Sequence, residues 1–242
     1  MKLDILAFGV HPDDVELGAA GALMMALAEG KKVGVVDLTQ GELGTRGSAE
    51  TRKEEAAIAS SIIGLTLREN LEMRDGFFAN NEAHQMQVIT CIRKHRPEIV
   101  LCNAPEDRHP DHGRAAQLVA DSCFYAGLSK IKTEYSGRYQ DAWRPKNVFH
   151  YIQDRLLQPD FIMDISPVFE RKLNSIKAYS TQFYNPEFEG PETYISTPSF
   201  METLIYRHKL WGKMVGVTYA EGFLSRKTIG VKSFDHLIQE VT

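Results

Sequence analysis

The sequence predicts an α/β fold: a Rossmann-like, mostly parallel sheet sandwiched by helices, with a less regular C-terminal part. Apolar, strand-like runs alternate with helix-like segments through the first half, the pattern of right-handed β-α-β crossovers. The 242 residues are 43% hydrophobic and 25% charged, enough for one large domain, 1–242, with a packed core. No internal repeat, low-complexity tract or linker divides the chain.

Residues 3–10 read as a buried first strand and 15–29 as the helix that follows it. A second apolar run covers 32–38. Helix periodicity over 48–63 puts alanine and isoleucine on one face, with Arg52, Lys53, Glu54 and Glu55 outside. A strand at 66–71, a helix at 81–96, a strand at 98–103 and a helix from 113 to about 125 complete the alternating half. Beyond it, 147–153 and 161–165 read as strands, and 167–179 and 199–215 as helices. Between those helices, 180–198 is rich in Pro, Tyr, Asn and Glu without periodicity, as functional lids and long loops are.

Composition excludes several classes of function. The formal net charge is -4, so no basic surplus marks a nucleic-acid binder. Cys91, Cys102 and Cys123 are odd in number and form no CxxC pair, which argues against a disulfide framework and for a reducing compartment. No apolar stretch approaches the roughly 18 residues of a membrane helix. Asp4 and the Asp13-Asp14 pair interrupt the N-terminal apolar run, unlike a signal peptide. The expected location is the cytoplasm, with no nucleic-acid or membrane partner.

In a parallel sheet, ligands bind beyond the carboxyl ends of the strands. That rule brings three loops to one edge: 10–14, 39–47 and 103–112. The first corner, "HPDD" at residues 11–14, is where a phosphate-binding protein carries glycines and free N–H groups. Carboxylates there would repel a phosphate. Another loop carries Asp107-Arg108-His109-Pro110-Asp111-His112. Catalytic zinc sites take three His or Asp/Glu ligands and leave one position open. His11 and Asp14, three apart across a turn, can share an ion, and His109 or His112 can complete the set. Asp13, not needed as a ligand, is then free to take a proton from water. Alone, the first turn reads equally as a helix N-cap, and the two loop histidines as surface residues. Their joint occurrence at non-adjacent strand ends favours a shared metal site. The other five histidines lack partners at ligand spacing. Arg46, in the Gly44–Gly47 loop, could grip a substrate carboxylate.

The chain resembles the LmbE-like, or PIG-L-like, zinc deacetylases, which remove acetyl groups from N-acetylglucosamine-containing molecules. The resemblance rests on "HPDD" at 11–14, "RHPDH" at 108–112, "RKEEA" at 52–56 and "YAEGF" at 219–223. The stretch "DLTQGELGTRGSAETR" at 37–52 resembles the branch that deacetylates N-acetylglucosaminyl-malate on the route to bacillithiol. The resemblance implies Zn2+ held by His11, Asp14 and His112, and Asp13 as general base. It implies His109, protonated, as oxyanion stabiliser or proton donor to the amine, oriented by Asp111. Arg52 and Arg144 match substrate-side arginines, and a homo-oligomer, trimer or hexamer, is implied. A tyrosine that some relatives bring to the carbonyl pocket aligns here with Phe200. The alternatives are deacetylation of another N-acetylglucosamine compound such as diacetylchitobiose, or a non-catalytic sugar- or nucleotide-binding module.

Overall fold

The computed structural model describes residues 1–237. Its first half alternates as expected: β1 (Ile5–Gly9), α1 (Asp14–Gly18), α2 (Ala20–Ala28), β2 (Val33–Thr39), α3 (Ala49–Ile63), β3 (Leu67–Met73), α4 (Glu82–His95), β4 (Ile99–Asn103) and α5 (Pro110–Ala126). Then follow a short hairpin, β5 (Glu134–Tyr135) and β6 (Arg138–Tyr139), and the elements β7 (Asn147–Tyr151), β8 (Phe161–Asp164), α6 (Phe169–Lys177), α7 (Pro198–Val215) and β9 (Ala220–Ser225).

The main sheet has the order β3-β2-β1-β4-β7-β9-β8. Its first five strands run parallel, and β9 is antiparallel to both β7 and β8. Alternate side chains serve two cores. Leu6, Phe8 and Val36 pack with Val88, Ile92 and Leu118 of α4 and α5. Ala7 and Val35 pack on the opposite face with Leu23 and Tyr151. Burial on both faces explains the near-continuous apolar strands; all seven residues of β2 are buried. Strand order reverses between β1 and β4, the crevice where open α/β sheets bind ligands.

Local structure departs from the sequence reading in instructive places. The helix expected over 15–29 is broken at Ala19 (φ -144°, ψ -5°). A buried ion pair fills the break. Lys172 Nζ donates to the carbonyls of Glu16 (2.9 Å) and Leu17 (2.8 Å) and to Glu221 Oε1 (2.6 Å). Glu221 in turn accepts from the N–H groups of Gly21 (2.9 Å) and Ala22 (2.8 Å). Groups orphaned at two helix ends are thereby satisfied by side chains far away in sequence. Helix α5 starts at Pro110 rather than at 113, because Pro suits the first helical turn and His109 caps it. The hairpin β5–β6 and strand β9 carry no alternation that the sequence reading recognised. The three cysteines are buried free thiols, and no helix of the described residues is long and apolar enough to cross a membrane.

Gly18, at the end of α1, lies against the ring of Tyr151, and a Cβ there would overlap that ring. Tyr151 is fully buried and tied to the Phe8 carbonyl by its hydroxyl (3.0 Å), so it cannot step aside. Gly18→Ala is expected to lower unfolding free energy by about 1–3 kcal/mol, read as a fall in the urea midpoint at constant slope.

Candidate active site

Strand β1 ends at Gly9, and the chain turns through His11, Pro12 and Asp13 into α1 at the sheet's switch point. Asp13 holds φ at 127°, a backbone conformation that costs a non-glycine residue about 1–3 kcal/mol. It occupies the N-cap position of α1 without capping it by its side chain. Its carboxylate turns instead to Arg52, whose Nη2 donates to Asp13 Oδ2 (2.7 Å) and to the Pro12 carbonyl. Arg52 reaches Asp13 because Gly41 presents no side chain where the guanidinium passes.

Asp14 is the hub. Its Oδ2 accepts from the N–H groups of Val10 (2.9 Å) and His11 (3.0 Å) and from Asn103 Nδ2 (3.1 Å). Its Oδ1 accepts from Gln153 Nε2 (2.7 Å) and lies 3.2 Å from His112 Nε2. His11 Nδ1 lies 3.7 Å from Oδ2. Each imidazole thus turns one nitrogen toward Asp14 and the other toward a further carboxylate. His11 Nε2 meets Asp75 Oδ1 at 3.0 Å, and His112 Nδ1 meets Asp107 Oδ2 at 2.6 Å. Carboxylate-backed imidazoles around a common carboxylate are the arrangement in which histidines hold a metal ion. His109 stands close by: its ring centroid is 4.9 Å from that of His11 and 5.3 Å from that of His112. Nitrogens of His11, His109 and His112 approach within 4.8 Å of one another. The loops expected at this edge therefore do converge.

Burial sets the electrostatics. It would raise the Asp14 carboxyl, but His112, His11 and their hydrogen bonds hold it well below the usual carboxylate range. Asp13 is raised by the same burial to about 7, because Arg52 offsets only part of the cost and Asp14 repels a second charge. Burial alone would lower His112, yet its place between Asp14 and Asp107 pushes it up to about 10. His109 is pushed below its ordinary value by burial and by the neighbouring His11 and His112. The geometry therefore favours a neutral His109, where the sequence reading expected a protonated one. Nδ1 of His109 accepts the Asp111 N–H (3.3 Å), so in the neutral ring the proton sits on Nε2.

Two expected residues take other places. The Asp111 side chain does not meet His109. Its Oδ1 binds Arg114 Nη1 (2.7 Å) and its Oδ2 accepts the Gly76 N–H (2.9 Å), fastening the loop after β3. Arg144 lies away from the cavity: it stacks over Phe124 (4.3 Å to the ring centre) and donates to the Phe124 carbonyl (3.0 Å). It is exposed beside Gly127, after α5, and does not line the site cavity. Arg46 and Arg52 do line the site cavity, of about 320 Å³, with His11, Asp13, Asp14, His109 and His112. Tyr194 enters its wall from the unpatterned 180–198 segment, whereas Phe200 packs with Phe183.

Asp75, Asn103 and Gln153 escaped the sequence reading. Asn103 ends β4 and Gln153 closely follows β7, so the strand-end rule could have flagged both. Asp75 follows β3 at the same distance, so the rule reaches it too, although β3 is an edge strand; Glu42 binds its N–H (2.8 Å). Away from the cavity, Glu69, Cys91 and His95 also offer ligand atoms within 4.8 Å of one another, contrary to the expectation that His95 stands alone. There Lys94 Nζ already occupies Glu69 Oε1 (2.6 Å).

Comparison with known proteins accords with this geometry. The PIG-L family profile, GlcNAc-PI de-N-acetylase, matches residues 6–123, which hold every histidine and aspartate of the cluster. The diacetylchitobiose deacetylase of Thermococcus kodakarensis is 28% identical over 97% of this chain and 88% of its own length. A probable N-acetyl-alpha-D-glucosaminyl L-malate deacetylase of Bacillus subtilis is 26% identical over 75% of this chain and 84% of its own. The crystal structure of the conserved protein TT1542 from Thermus thermophilus superimposes with a TM-score of 0.84, at 34% identity, over 95% of this chain and 98% of that one. The chain belongs to the PIG-L family of deacetylases, and is a hydrolytic enzyme that cleaves amides.

Proposed function

We propose that this enzyme is a zinc-dependent deacetylase of N-acetylglucosamine conjugates, and that its substrate is N-acetylglucosaminyl-malate, on the route to bacillithiol. The observation that carries the zinc reading is the Asp14 carboxylate lying between two imidazoles, each backed by its own carboxylate. Two imidazoles and a carboxylate form a borderline N/O donor set that suits zinc. His11, Asp14 and His112 would hold the ion. When bound, zinc supplies Lewis acidity toward the acetyl carbonyl and makes water more acidic. The malate reading is supported by likeness to the Bacillus subtilis protein and by the residue 37–52 stretch. Likeness to the Thermococcus kodakarensis protein supports diacetylchitobiose as the second candidate.

The remaining roles fall to this chain's own side chains. Asp13, raised to about 7, takes a proton from the attacking water near neutral pH. Arg52 aims that carboxylate and keeps it from turning back onto α1. His109 offers Nε2–H to the oxygen on which negative charge develops. Water and amide become acetate and amine, and the proton that Asp13 takes from the water passes to the leaving nitrogen.

Asp13→Asn keeps an acceptor for Arg52 while removing the base. It should retain stoichiometric zinc and lower kcat by about 10²–10⁴-fold; near-full activity would refute the base assignment. Asp107→Asn should weaken zinc binding by about 10–100-fold, measured by competition with a chromophoric chelator. Acetate release from N-acetylglucosaminyl-malate should stop with chelator and return with added zinc. Release from diacetylchitobiose alone would transfer the assignment to the second substrate.

A further inference from the structure

Three arginines line the cavity, and they differ in one respect. Arg52 is paired with Asp13 (2.7 Å), and Arg108 with Asp154 (2.8 Å). Arg46 has no carboxylate partner among the described residues. It is only 6% exposed, and its buried Nε has no hydrogen-bond partner among those residues. A guanidinium cannot shed its charge, so burying one unpaired is costly unless something else completes it.

The protein holds this side chain in place without neutralising it. Gln182 Nε2 donates to the Arg46 carbonyl (2.6 Å), fixing the backbone. Phe188 lies under the guanidinium, 4.1 Å from ring centre to Cζ. A ring face steadies a cation and excludes water from one side, yet leaves the in-plane N–H groups free. Gln182 and Phe188 both come from the unpatterned 180–198 segment, which also brings Tyr194 to the cavity wall. Tyr194 is fastened there by its hydroxyl to Asp154 (3.1 Å) and by the Arg108 guanidinium over its ring (4.3 Å).

We infer that Arg46, braced by Phe188, is the specificity-determining residue of an oxyanion subsite, which selects N-acetylglucosamine conjugates whose aglycone carries a carboxylate or phosphate. The inference rests on the deacetylase reading and deepens it. A planar fork of donors matches either oxyanion, and a neutral sugar in the aglycone position would leave the fork unfilled.

The test compares kcat/KM for acetate release in matched pairs. N-acetylglucosaminyl-malate is set against its dimethyl ester, and N-acetylglucosamine 1-phosphate against the methyl glycoside. The wild type should prefer the anionic member of at least one pair by about 10–100-fold, the contribution of a charge-assisted hydrogen bond; the preferred pair identifies the anion. Arg46→Gln should shrink that ratio toward one through KM, and Arg46→Lys, which keeps the charge without the fork, should fall between. A wild-type ratio near one in both pairs, or an undiminished ratio in Arg46→Gln, overturns the inference. Acetate from diacetylchitobiose but from none of the four compounds would overturn this inference and leave the deacetylase reading standing; acetate from none of the five would overturn both.

Discussion

One carboxylate joins the functional edge of the molecule. Asp14 reaches back to the N–H groups at the end of β1, across to Asn103 at the end of β4, and onward to Gln153 just beyond β7. Three strand ends are thereby held to a single residue that is 1% exposed. Such a group is stable as an anion only because donors surround it. The imidazoles beside it inherit their positions from the same constraint. His11 is part of the turn that Asp14 closes, and His112 is delivered by a helix whose first turn His109 caps.

Beneath this edge lies a second layer of buried charge. Lys172 and Glu221 join α1 to α2, so the short helix carrying Asp14 ends where the cavity requires. Arg68 binds Asp37 (2.7 Å) and Glu16 (2.6 Å), and Tyr179 also reaches Glu16 (3.1 Å). Breaking one partner of such a buried set leaves the other charge stranded, which is costly. The layer therefore holds the strained Asp13 corner in one geometry. Glu221 belongs to the "YAEGF" stretch, whose place in the fold is thus to brace the helix behind the site.

Sequence made the alternating half legible because parallel strands buried on both faces read as apolar runs. Helix faces there repeat with their own period. The two ligand-bearing loops were legible for a related reason: histidine and aspartate at strand ends have few structural duties. Long-range polar pairing was not legible. No periodicity announces that Lys172 and Glu221 will break a helix 150 residues or more upstream, or that Asp75 will face His11. The Asp111 expectation failed on local geometry, since the cap made by His109 uses the Asp111 N–H and leaves its carboxylate to Arg114 and Gly76. Arg46 was legible as a candidate by its loop, but its lack of a carboxylate partner among the described residues needed the fold.

Everything proposed for catalysis depends on an ion sharing the His11, Asp14 and His112 side chains. Zinc K-edge absorption on the metal-loaded protein examines that directly. The account predicts a shell of nitrogen and oxygen with the outer scattering of two imidazoles, disrupted in Asp14→Ala. Sulfur in the shell would place the ion at Cys91 instead, and an unchanged shell in Asp14→Ala would remove Asp14 from the centre; either result contradicts the account.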